Sequence, residues 1–236
     1  MPFIGNVLTS FAVETGNIND QAITAPKLSA TGGTNGKVLA LAADLSLEWV
    51  TASSGATEIN GLSDAVTYDS GLSIGLGTGA LANDDGTDND NTALGYNALN
   101  ANTSGTQNVA VGAYALDANT TADNNTAVGH GSLGANTTGS LNTAIGADAL
   151  GANTTGYWNT AVGRDALKDQ TTATLNTAIG DRAGENHTTG GSNVFVGSTA
   201  GYNTTTGSAN VFVGRTSGEG NTTGSNNVCV GNGAGN

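Results

Sequence analysis

The chain has little of what most folds are built from. One cysteine, Cys229, in 236 residues excludes an intrachain disulfide framework and a zinc site made of cysteine pairs. Aromatic residues make up 5% and charged residues 11%. So little aromatic bulk argues against a layered globule with a thick core. So little charge, against roughly 25% in an ordinary soluble domain, argues against a disordered, solvated chain. Two histidines, His130 and His187, leave little for metal or acid–base chemistry. No apolar run approaches the roughly 20 residues that span a bilayer. The opening Met1-Pro2-Phe3-Ile4-Gly5 lacks the basic and apolar regions of a signal peptide, so unaided secretion is not expected. Six bases against 19 acids give a net charge of −13. That disfavours nucleic acid and anionic membrane as partners, since both call for clustered Lys and Arg.

What the chain does have is glycine, 37 residues of it, and a repeat. Asn recurs at 91, 108, 125, 142, 159, 176, 193, 210 and 227, always 17 residues apart. Four residues after each comes Gly, from Gly95 to Gly231. With Asn as the first position, the unit reads N-[TV]-[AFC]-[LIV]-G-x-x-[AS]-[LG], with a tail often ending A-N-T-T-G. Seventeen residues are too few for two stacked helices, which need about 33–47. The alternating segment and the Asn, Thr and Gly of the tail favour strand and turn. The expected fold is all-β: a parallel β-solenoid with one coil per repeat, adjacent coils about 4.8 Å apart. The expected domains are an N-terminal region 1–50, a linker 51–70 and a solenoid domain 71–236. Within the first, Lys37–Leu41 and Leu45–Val50 alternate around Ala43-Asp44 and predict a hairpin over 37–50. Leu72 to Asn83 reads as a degenerate first coil.

Stacking turns each position into a column. The fourth position is always aliphatic: Leu94, Val111, Val128, Ile145, Val162, Ile179, Val196, Val213, Val230. It is expected to face the interior. The third is Ala through Ala178, then Phe195, Phe212 and Cys229. The ninth is Leu through Leu167, then Gly184, Gly201, Gly218 and Gly235. Leu leaves one column as Phe enters the other, which reads as volume exchange inside a packed interior. The first-position Asn column is expected to form an amide ladder, and the Gly column a corner with positive φ or close backbone approach.

Few residues suggest chemistry. Tyr157-Trp158 is the only adjacent aromatic pair in the repeats, and Arg164 is one of four bases there. Tyr157, Trp158 and Arg164 are the candidate receptor-binding residues, set against packing contacts and scattered salt bridges. Asp84, Asp85, Asp88 and Asp90 hold oxygen ligands, but their spacing is not that of an EF-hand and a solvated loop is the expectation. His187 and His130 read as corner variants, and Cys229 as a buried thiol. The Thr pairs 137–138 and 154–155 lie at corners rather than on a flat face, which argues against ice binding. Asp165 with Asp169, and Asp181 with Glu185, lack an evident cleft, and no nucleophile elbow or phosphate loop occurs. No enzyme activity, cofactor or metal is expected.

The repeats resemble the left-handed β-roll heads of trimeric adhesins and the NTAxG-type repeats of phage tail fibres. The start Met1-Pro2-Phe3-Ile4-Gly5-Asn6 is similar to the opening of marine cyanophage fibre proteins. Gly33 to Leu39 through Leu47-Glu48-Trp49 resembles the GxxGQVL…LxW element of tail fibres. The resemblance implies a homotrimeric left-handed roll whose N-terminal region attaches to other virion proteins. It implies a virion fibre contributing to attachment to a host glycan or outer-membrane protein, without membrane insertion. A bacterial trimeric adhesin head is the alternative.

Overall fold

The computed structural model describes residues 73–86 and 89–236, and the backbone of three earlier strands. The chain forms two compact units, Met1–Ser54 and Gly55–Asn236. In the first, β1 (Lys37–Leu41) and β2 (Leu47–Thr51) pair antiparallel, Lys37 opposite Thr51 and Leu41 opposite Leu47. The predicted turn between them lies outside the described residues, as does most of the predicted linker. Within that linker, β3 (Ala65–Thr67) is a strand, pairing antiparallel with β4 (Ile74–Leu76).

From β4 onward the second unit is a parallel solenoid. Nine further strands follow at 17-residue intervals, from β5 (Thr92–Leu94) to β13 (Val228–Val230), each pairing with the strand before it and, except for β13, with the one after. Like residues sit opposite like: Thr143 against Thr160, Ala144 against Ala161, Ile145 against Val162. The degenerate first coil is a true coil, one residue longer, since Ile74 pairs with Thr92. Ser73 takes the place of the first Asn there, its Oγ accepting from the Asn91 N–H at 3.0 Å.

The interior holds the third, eighth and ninth positions. Ala144, Ala149 and Leu150 are fully buried, as are their counterparts in the neighbouring coils. The fourth-position column faces the other way, contrary to the sequence expectation. Ile145 is 40% and Ile179 43% exposed, and Leu94 is more so. The reason is steric. Where the ninth-position Leu fills the interior, only Ala fits the inward site of the strand, and strand alternation then turns both neighbours outward.

The ninth-position leucines have a backbone cost. Leu99, Leu116, Leu133, Leu150 and Leu167 all lie at φ of 50–51°, a left-handed conformation. That disfavours an L residue by about 1–2 kcal/mol, against about 1.5–3 kcal/mol gained by burying a Leu side chain. In the later coils the bulk moves to the strand, where a β conformation suits it. Phe195 and Phe212 are fully buried with ring centroids 5.7 Å apart. Gly184 at φ 60° then occupies the left-handed corner. The expected volume exchange is thus present.

Two amide ladders brace the coils. In the first-position column, Asn142 Oδ1 accepts from Asn159 N–H at 3.0 Å and from Asn159 Nδ2 at 3.1 Å. The same pattern links Asn125 to Asn142 and Asn193 to Asn210. The twelfth position carries a second ladder: Asn119 Nδ2 donates to Asn102 Oδ1, Asn136 to Asn119 and Asn153 to Asn136, at 2.9–3.1 Å. In most coils both columns donate to one carbonyl, as Asn125 and Asn136 do to Gly139 O, each at 2.9 Å. Buried amides would otherwise cost about 1–3 kcal/mol per unmet group. At the Gly column, Gly146 has φ 134°, and a Cβ there would lie 2.5 Å from the Gly163 carbonyl carbon. Both the conformation and the spacing demand glycine.

Candidate functional site

Because the third position points inward, the second and fourth form an outward strand face repeated along the stack. The fourth is aliphatic in all nine coils that begin with Asn. The second is Thr or Val, half-buried in most coils and exposed at Val109 and Val228. This face is flat, β-branched and almost free of charge.

The aromatic pair predicted from sequence is present at the corner that precedes the strand. Tyr157 and Trp158 meet edge to face with centroids 5.0 Å apart, and both are exposed. Trp158 occupies the seventeenth position, and so do the exposed Leu141 and Leu175 in the coils on either side.

Arg164 belongs to a different cluster, beyond the strand and the Gly163 corner. Its guanidinium holds Asp165 at 2.6 Å and Asp181, in the next coil, at 2.8 Å. Lys168 Nζ lies 3.3 Å from Asp165, whose hydrogen bond and negative charge hold the ammonium pKa above its ordinary value. Arg182 lies 3.5 Å from Glu185. Three of the four carboxylates considered for hydrolysis are therefore paired with cations. Asp117, in an earlier coil, has its carboxyl pKa raised by burial.

A second aromatic run was not singled out from the sequence. Tyr96, Tyr114 and His130 follow one another across three coils, with edge-to-face contacts at 5.3 and 5.8 Å. The signal was present, since the three occupy the sixth or seventh position of consecutive repeats.

His187 is more than a corner variant. It stands in the twelfth-position column, fully buried. Nε2 lies 2.5 Å from Gly190 O, so that nitrogen carries the proton, and Nδ1 is buried without a hydrogen-bond partner. The ring meets Phe195 edge to face at 5.8 Å. Burial pushes its pKa below the ordinary histidine value. Cys229 lies in the interior column as expected, but is only half-buried. It lines a cavity of about 300 Å³ with Phe212, Asn221 and Asn227.

The acidic loop is held by amides. Asp84 takes the Gly86 N–H at 3.0 Å and Asn89 Nδ2 at 3.3 Å, while Asp88 lies outside the described residues. Among the described residues no three His, Cys, Asp or Glu side chains converge as metal ligands. The thirteenth-position threonines use their hydroxyls between coils, as Thr137 Oγ1 does to Thr154 O at 3.1 Å. No family model, curated protein or solved structure matches the chain.

Proposed function

We propose that the chain is a structural fibre of a phage virion, assembled as a homotrimer with the outward strand faces turned toward one another. The observation that carries this reading is the outward aliphatic column from Leu94 to Val230, exposed at Leu94, Ile145, Ile179 and Val230 and half-buried between them. A monomer rarely leaves a contiguous apolar surface of more than a few hundred Å² in water. Identical chains in cyclic symmetry cover such a surface with copies of itself. The ladders favour a mechanical role, since every coil is tied to the next by backbone and amide bonds. In this reading residues 1–50 attach to other virion proteins, and the solenoid projects toward the host surface and contributes to adhesion. The resemblance of the N-terminal motifs to cyanophage fibres supports the phage assignment over the adhesin head.

Light scattering behind a sizing column tests the assembly. The expected mass is about 69 kDa, three times the 23.1 kDa chain. Ile145→Asp places a carboxylate on the outward face, where it leaves the coil intact. It is expected to give a monomer with an unchanged circular dichroism spectrum. A monomeric wild-type chain at all concentrations would overturn the trimer. Deletion of residues 1–30 is expected to abolish incorporation into the virion.

A further inference from the structure

A stack of near-identical coils has a register problem when it associates with copies of itself. The fourth-position column is Val or Ile in every coil from Val111 to Val230, so sliding one chain by a coil restores almost every contact. Repetitive surfaces of this kind specify register only where something breaks the repeat.

The seventeenth position breaks it. Every coil needs a left-handed backbone there, with φ between 56° and 63° from Gln107 to Asn226. Five coils use Gln107, Asn124, Ser192, Ala209 and Asn226, small or polar residues of which Asn suits this conformation well. Three consecutive coils instead carry Leu141, Trp158 and Leu175, bulky residues that the conformation disfavours. Within the chain they are only partly covered, and Trp158 packs edge to face on Tyr157. They are 48%, 53% and 52% exposed. The ninth-position leucines meet the same conformational cost with full burial, whereas these three leave about half their surface uncovered, which points to a contact made outside the chain.

The partner follows from placement. Leu141, Trp158 and Leu175 stand at the corners that lead directly into the strands carrying Ile145, Val162 and Ile179, so an exposed apolar residue adjoins the outward face in three successive coils. Cyclic symmetry sets each level of one copy against the same level of its partners. A patch confined to three coils then meets itself only when the copies are in register. We infer that Leu141, Trp158 and Leu175 are the axial register key of the fibre, occupied by the same patch of the other copies. This inference rests on the homotrimer reading above.

The test moves the key. One chain carries Leu141→Asn, Trp158→Asn and Leu175→Asn together with Ser192→Leu, Ala209→Trp and Asn226→Leu, which shifts the patch three coils along. All six sites already have the required backbone, and a homotrimer of this chain by light scattering shows that it folds. Wild-type and shifted chains are unfolded together, refolded, and analysed by native mass spectrometry. The expected result is self-sorting, with mixed trimers reduced at least tenfold from the 1:3:3:1 statistical pattern. A statistical pattern overturns the key and leaves the trimer standing. A wild-type chain that stays monomeric overturns both. Statistical mixing with glycan-array binding that follows the patch assigns the surface to a ligand and overturns the key. As a second readout, Trp49→Phe leaves Trp158 as the sole tryptophan, and its emission is expected to shift to the blue on assembly. An emission that does not change on assembly overturns the key.

Discussion

Phe195 occupies the space that a ninth-position leucine would need: a Cβ on Gly184 would lie 2.5 Å from its ring. The two columns therefore behave as one volume. Gly184→Leu is expected to destabilise by about 1–3 kcal/mol through overpacking. Phe195→Ala alone is expected to cost about 3–5 kcal/mol. The pair together rebuilds the Ala–Leu arrangement of the earlier coils, and should cost less than the sum of the single changes by about 1–3 kcal/mol. Denaturant titration of the four chains measures that coupling, and strict additivity would refute it.

His187 makes the solenoid sensitive to acid. Its folded pKa is depressed by burial, so the unfolded chain takes up a proton more readily. The stability attached to the neutral ring is present above the unfolded value of about 6.5 and declines as pH falls from there toward the folded value. Thermal midpoints recorded between pH 7.5 and 5 are expected to fall below about pH 6.5. His187→Asn, which restores the residue of the earlier coils, should flatten that decline. An equally steep decline in the variant would place the acid sensitivity elsewhere.

The first-position ladder distinguishes a buried amide from an exposed corner hydroxyl. Asn142→Ala removes the acceptor of the Asn159 N–H, a buried donor. The expected loss is about 2 kcal/mol, within the range for one buried group left unmet. Thr138→Ala, at an exposed corner in the preceding coil, should stay within about 0.5 kcal/mol of wild type. Equal effects at the two sites would mean that the ladder adds nothing to the coil.

Gly146→Ala probes the corner. The added methyl meets the backbone of the next coil, which has no rotamer with which to yield, and φ of 134° is strained for alanine. Local strain of this kind costs about 1–3 kcal/mol before the clash is counted. Hydrogen exchange is expected to rise first at Ile145 to Leu150 and in the facing coil. Uniform protection along the stack would contradict that local weakening.

Period, strand direction, the Asn ladder and the Gly corner were all legible, because each is a property of one column repeated many times. The orientation of the strand was not. Alternation says that Ala144 and Ile145 point to opposite sides, but not which side is inside. Hydrophobicity favours Ile145, and the interior space already taken by Leu150 decides for Ala144. The twelfth-position column was missed for another reason. Asn153, Gln170, His187 and Thr204 look like turn residues in a variable corner, and only the structure shows them stacked on one buried line. Tyr157 and Trp158 were found because they are adjacent. The apolar column of Leu141, Trp158 and Leu175 was not noticed, because its members are 17 residues apart.

That twelfth-position line is interrupted. The amide bonds running from Asn102 to Asn153 stop there, and Asn153 Oδ1 is left without a partner. Gln170 turns aside to Ala173 O and Asn176 instead. His187 follows with one nitrogen unmet, and the side-chain contact from Asn221 back to Thr204 is stretched to 3.5 Å. A pull along the stacking direction loads the junctions between coils in series, so the tensile limit is that of the weakest one. The site of yield is therefore expected between Asn153 and Asn221. Strengthening any coil outside that stretch would leave the breaking force unchanged.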